Sequence, residues 1–225
     1  GWQGGGGRVP QGWRLLQAEI CARLRVEVKV RFTQSISQQN ILGMNYQDMT
    51  NEINNAARLT FSDLQAQHPD ETFYTFILYT DSDCYTLVPA ANSVQKLDAA
   101  LKELKNPSTS GTAYCRWHSA AWAYEAWDGK GRDAFQRICE KLGNQCDQVC
   151  EDPVAFLSFK QSVHSSMMEA LHTLDKDNFF GKDRDTVTLF VSISDDNGSL
   201  DLENQSSEFV NSTKTHSVFS KRYAS

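Results

Sequence analysis

The chain of 225 residues contains no apolar run approaching the ~20 residues that a membrane span needs. No stretch has the basic, apolar and small-residue layout of a secretory signal. A G-x-S-x-G elbow, an H-E-x-x-H helix, a Walker loop and a dinucleotide glycine signature are all missing, so the common hydrolase, zinc-protease and nucleotide-binding readings lack their motifs. There is no internal repeat. The six cysteines are too sparse for a disulfide-stapled mini-domain, and reduced thiols in a cytoplasmic protein are expected.

Hydrophobic content of 40% and charged content of 22% are those of an ordinary globular chain, long enough to bury a real core. Charge is uneven. Residues 1–43 hold six Lys/Arg and two acids, a net of +4, whereas the remainder holds 16 and 26, a net of −10. An acidic body disfavours sequence-independent nucleic-acid binding, which relies on Lys/Arg neutralising phosphates. It suits a basic protein partner, because opposite charge speeds encounter and suppresses wrong partners. The plainer alternative is that the charge only maintains solubility.

Residues 1–11 are glycine-rich, and the first methionine is Met44. The change of composition at Gly43-Met44 reads as a seam, with 1–43 expected to be a non-native or upstream leader and 44–225 a single domain. Within the leader, Arg25 to Phe32 alternates as a half-buried strand does.

The body is organised around Thr72 to Asn92. Phe73 to Tyr79 is an aromatic and β-branched run, Asp81-Ser82-Asp83 a turn, and Cys84 to Val88 a second run expected to stop at Pro89. Together they predict a β-hairpin whose first strand, apolar on both faces, is central. Before it, Tyr46, Met49, Ile53, Ala56, Ala57, Thr60, Phe61 and Leu64 fall on one helical stripe that ends at His68-Pro69. After it, Ser93 to Lys105 is predicted as a helix facing Val94, Leu97, Leu101 and Leu104 inward. Residues 106–111 read as a loop, Thr112 to Trp117 as a short strand, and His118 to Trp127 as a helical turn. Arg132 to Cys150 is predicted helical with a soft spot at Gly143. Asp152-Pro153 opens another helix running to about Leu174. Phe179-Phe180-Gly181 turns the chain, Thr186 to Ser194 is a strand, residues 195–198 a turn, and 206–219 a terminal helix. The irregular order of elements predicts an α+β domain: a mixed or antiparallel sheet built on the hairpin and flanked by helices.

Cys139, Cys146 and Cys150 lack the four-ligand pattern of structural zinc and read as buried helical thiols. Asp81, Asp83, Asp195, Asp196 and Glu203 lack the spacing of a calcium loop and read as turn acids. No metal and no cofactor is therefore expected. The segment around His118 is the candidate binding surface: Tyr114, Arg116, Trp117, His118, Trp122, Tyr124 and Glu125. Trp, Tyr and Arg dominate interface hot spots, although they also fill cores. An alternative is an enzyme with a site around Arg116, His118 and Glu125, for which no motif supplies a nucleophile or oxyanion site.

From Asn45 onward the sequence resembles a bacterial family catalogued as domain of unknown function 4303. The likeness is carried by Gln67-His68-Pro69-Asp70-Glu71-Thr72-Phe73-Tyr74, Phe76, Leu78-Tyr79-Thr80-Asp81 and Pro89-Ala90-Ala91-Asn92. Further matches are Arg116-Trp117, Trp122-Ala123-Tyr124-Glu125, Leu174-Asp175, Phe180-Gly181 and Ser192-Ile193-Ser194-Asp195. The resemblance transfers no catalytic residue. Small cytoplasmic families of this kind are often immunity proteins of bacterial toxin systems, an association only. The expectation is a non-enzymatic protein-binding module, an immunity protein blocking a basic toxin through an acidic and aromatic surface, with no nucleic-acid or membrane partner.

Overall fold

In the computed structural model, the residues described are 44–126, 129–181, 183–194, 196 and 198–224. The predicted leader, with its strand at Arg25 to Phe32, lies outside them, as do Cys21, Trp127, Asp195 and Asn197. The core is a four-stranded sheet in the order β3-β2-β1-β4. β1 (Phe73–Thr80) is central, antiparallel to β2 (Leu87–Ser93) and parallel to β4 (Thr188–Ile193). β3 (Tyr124–Glu125) adds a two-residue pairing outside β2, at Ala90 and Ala91. The sheet is thus mixed and helix-flanked, an α+β domain as expected.

One face of the sheet carries Phe76, Leu78, Leu189, Val191 and Ile193, and it is covered by three long helices. α1 (Tyr46–Gln67) starts where the Asn45 side chain accepts the amides of Gln47 and Asp48, and its predicted stripe is buried from Met49 to Leu64, with Tyr46 partly buried. Later in the chain, α4 (Arg132–Val149) and α5 (Pro153–Lys176) pack beside it, α5 opening with Asp152 as cap and Pro153 in its first turn. The buried Asn54 amide ties α1 to α5 by donating to the Ala170 carbonyl at 3.0 Å. Gly143 does not break α4. A Cβ there would stand 3.3 Å from the Tyr85 ring, so the glycine makes room for the loop that joins β1 to β2. Cys139 and Cys146 hold the same loop, the first bonding the Leu87 amide at 3.3 Å and the second the Asp83 carbonyl at 3.5 Å.

The opposite face carries Ile77, Ala90 and Phe190, covered by Leu97 of α2 (Val94–Glu103), Cys115 and Trp117 of α3 (Thr109–Trp117), Trp122, and Phe219 of the last helix. Here the predicted strand at Thr112 to Trp117 is a helix, capped by Ser108 inside what reads as a loop. Cys115 and Trp117 are buried while Tyr114, Arg116 and His118 are exposed, so a short helix shows the period-two pattern of a strand. The segment from His118 holds a 3-10 turn at Ser119–Ala121 and then β3. α2 is capped by Ser93 and buries Leu97, whereas Val94 and Leu104, predicted to face inward, are exposed. β2 passes through Pro89 instead of stopping there. Its outer side is bordered by only two paired residues, and such a near-edge strand tolerates a proline.

The predicted terminal helix is two helices, α6 (Ser199–Val210) and α7 (Thr213–Phe219). The break has a tertiary cause. The Asn211 side chain bonds both the Leu189 amide (2.9 Å) and the Leu189 carbonyl (2.7 Å), and the Ser206 hydroxyl accepts the Val191 amide at 2.9 Å. Side chains of α6 and its C-cap thereby satisfy the open edge of β4, which would otherwise be a template for another strand. Among the described residues, no helix is long and apolar enough to cross a membrane.

Candidate functional site

At the amino ends of β1 and β4 the chain leaves a cleft of about 350 Å³. It is lined by His68 and Pro69, which end α1, by Glu71, and by Asp183, Thr186 and Val187, which lead into β4. Phe73, Phe76 and Phe180 make the floor. Their rings pack in series at tilted angles, Phe73 to Phe76 at 5.4 Å and Phe76 to Phe180 at 5.2 Å between centroids. Gly181, which follows and also lines the cleft, has φ +84°, the left-handed conformation that favours glycine.

Glu71 is held by several elements at once. Its carboxylate accepts the Ser93 hydroxyl and, at 2.8 Å, the Tyr124 phenol. Lys96 stands 3.5 Å away and His68 3.7 Å away. Burial opposes the charged form. The Ser93 and Tyr124 hydrogen bonds, with Lys96 and His68, outweigh it and hold the carboxyl below its usual range. Ser93 serves twice, since its oxygen also accepts the Lys96 amide as cap of α2. Tyr124, whose ring lies 4.8 Å from that of His68, has its phenol raised by burial and by Glu71. Glu71 therefore lines the aromatic cleft as an ionised carboxylate, with Lys96 as its neighbouring cation. Asp183 is an exposed member of the lining, and among the described residues that line the cleft there is no Lys or Arg.

The carboxyl ends of the parallel strands hold a second group. Asp81 organises the β1–β2 loop: burial works against its charge, but the Thr86 hydroxyl and the amides of Tyr85, Thr86 and Asp83 lower its pKa. In that loop the fully buried Cys84 lies 3.5 Å from Nε2 of His164, with Lys160 and Asp196 nearby. Burial pushes the thiol up to about 12 and, helped by Lys160 against Asp196, pushes the imidazole down to about 4. Both partners are neutral at pH 7, whereas covalent chemistry needs a thiolate. The pair has a consequence for stability instead. In the unfolded chain His164 takes a proton near 6.5, but in the folded one only near 4. Its contribution is complete above 6.5 and is lost as pH falls toward 4. From pH 7 to pH 4 the wild type should lose about 3 kcal/mol more unfolding free energy than His164→Gln. Urea melts across that range check this, and parallel profiles would contradict it.

The residues singled out in the sequence do not share one surface. Trp117 and Trp122 are 8% and 6% exposed in the core beneath α3, and Tyr124, at 4%, belongs to the opposite face of the sheet. Exposed Arg116 lies over the rings of Tyr74 and Trp117, and exposed His118 stacks on Tyr114. Glu125 accepts the Tyr79 phenol at 3.4 Å. None of the Arg116, His118 and Glu125 trio lines the cleft. Among the described residues no group of His, Cys, Asp and Glu is arranged to hold a metal ion. Within the cleft, His68, Glu71, Phe73, Phe76 and Phe180-Gly181 all come from segments that carry the family resemblance. Asp183 had no such signal.

The fold and cleft define a class: a mixed-sheet α+β domain with an aromatic-floored recess that Glu71 and Asp183 line. The family model described as a domain of unknown function, DUF4303, matches residues 53–212, and the chain belongs to that family. Neither the curated proteins nor the solved structures contain a match.

Proposed function

We propose that this chain is a non-enzymatic binding module of the bacterial cytoplasm whose cleft takes an arginine or lysine side chain of a basic protein partner. In its specific form the module is an immunity protein that neutralises a basic toxin. The observation that carries this reading is the pairing of the Phe73–Phe76–Phe180 floor with Glu71 and Asp183, in a described lining without Lys or Arg. Two of the protein's own arginines illustrate the recognition mode beside the cleft. Arg58 sits 5.4 Å over Phe179 and pairs with Asp177, and Arg184 sits 5.9 Å over Phe180 and pairs with Asp175. In each case a ring supports the guanidinium and a carboxylate neutralises it. The net charge of −10 from residue 44 onward would steer a basic partner toward such a site.

Asp183 is exposed, so its replacement leaves the core intact. With the full chain as bait in the source cell, wild type should capture a basic protein, and Asp183→Lys should weaken that complex at least about tenfold through charge repulsion. Equal capture by both baits, or capture of acidic proteins only, would sink the reading.

A further inference from the structure

Residues 104–124 and 209–225 contain no Asp or Glu, yet carry Lys105, Arg116, Lys214, Lys221 and Arg222. The rest of the chain from residue 44 then holds 11 basic and 26 acidic side chains, a net of −15. Folding brings the acid-free segments together. Trp117 of α3 meets Phe219 of α7 edge-on at 5.3 Å. The Tyr223 phenol is raised by burial and by Glu203, and Tyr114 is close enough to add to the shift. Two of the cations are engaged, Arg222 in a buried pair with Glu203 and Lys214 with Asp185 at 3.4 Å. Arg116, Lys221 and His118 are exposed, and Tyr114 and Tyr223 are half-exposed.

We propose that this layer is a second docking face, opposite in sign to the cleft, and that it takes an acidic protein segment. Tyr and Arg are the residues that anchor protein interfaces. Here they are held in place: His118 stacks on Tyr114 at 4.6 Å, and Arg116 rests 5.0 Å over the Tyr74 ring. An acidic segment supplies carboxylates for Arg116 and Lys221 and acceptors for the two phenols. A nucleic-acid strand fits less well. It needs a row of cations along its phosphates, whereas this face offers two separate exposed ones, Arg116 and Lys221. With a cationic ligand at the cleft and an acidic one here, the module would bridge two partners. The second face stands independently of the first.

The test is fluorescence anisotropy of the full chain with a labelled glutamate-rich peptide and, in parallel, with a labelled oligo-dT strand. The peptide should bind, and about 0.5 M salt should release it. Arg116→Glu combined with Lys221→Glu should weaken it about tenfold, and Tyr114→Ala about threefold, at unchanged melting temperature. Asp183→Lys should leave it unaffected, which separates this face from the cleft. Tighter binding of the DNA strand, no binding of the peptide, or binding indifferent to the charge reversal would overturn the proposal.

Discussion

Replacing Glu203 by alanine is expected to cost about 3–5 kcal/mol of stability, the usual penalty for stranding one partner of a buried ion pair. Glu203 accepts Nη2 of Arg222 at 2.6 Å and the hydroxyls of Ser192 and Ser199 at 2.6 and 2.9 Å. The Arg222 side chain is only 2% exposed. Its remaining bonds go to Asn204 and the Phe219 carbonyl, so without Glu203 a guanidinium stays buried with no counter-charge. Two hydroxyls lose their acceptor as well. Adding Arg222→Met to Glu203→Ala should recover much of the loss, since removing both charges also removes the desolvation penalty. Urea melts of the two single variants and the double variant measure this. A Glu203→Ala chain within about 1 kcal/mol of wild type would contradict the buried pair. The pair also fastens α7 and the following residues to the body, so its loss should expose Phe219 and loosen the face that includes Tyr223.

Gly131→Ala should be nearly as damaging, at about 3 kcal/mol, for a purely steric reason. Gly131 has φ −85°, which any residue can adopt. A Cβ there would stand 1.8 Å from the Thr60 hydroxyl and 2.8 Å from the Ala56 carbonyl. The Thr60 hydroxyl belongs to a fully buried side chain, and the carbonyl is α1 backbone, so relief requires α1 and α4 to separate. A lowered melting temperature is the readout. An unchanged one would mean that the two helices are not in contact at the start of α4.

Long elements with local start and stop signals are legible in the residues themselves. Asn45 and His68-Pro69 bound α1, and Asp152-Pro153 opens α5, because caps and prolines act through neighbouring backbone alone. Sequence and fold part company where tertiary contacts decide. α3 is too short for its period to separate helix from strand, and its Tyr and Trp favour the wrong choice. Nothing near Asn211 shows that its amide will bond the edge of β4 and end α6. Half of the cleft could be anticipated. Glu71 and Phe180 fall in segments resembling the family, but a lone carboxylate shows its role only when Ser93 and Tyr124 arrive from elsewhere in the chain. Asp183 is one turn acid among many until the fold brings it into the same cleft lining as Glu71.

The most direct test of the central claim is an NMR titration of the full chain with a short peptide whose only side-chain charge is one arginine. A glutamate counterpart serves as control. The arginine peptide should shift the amides of Glu71, Phe73, Phe180, Gly181 and Thr186, and Asp183→Lys should abolish those shifts. Shifts from the glutamate peptide at the same amides, or arginine-induced shifts confined to other surfaces, would contradict a cleft built for a cationic side chain.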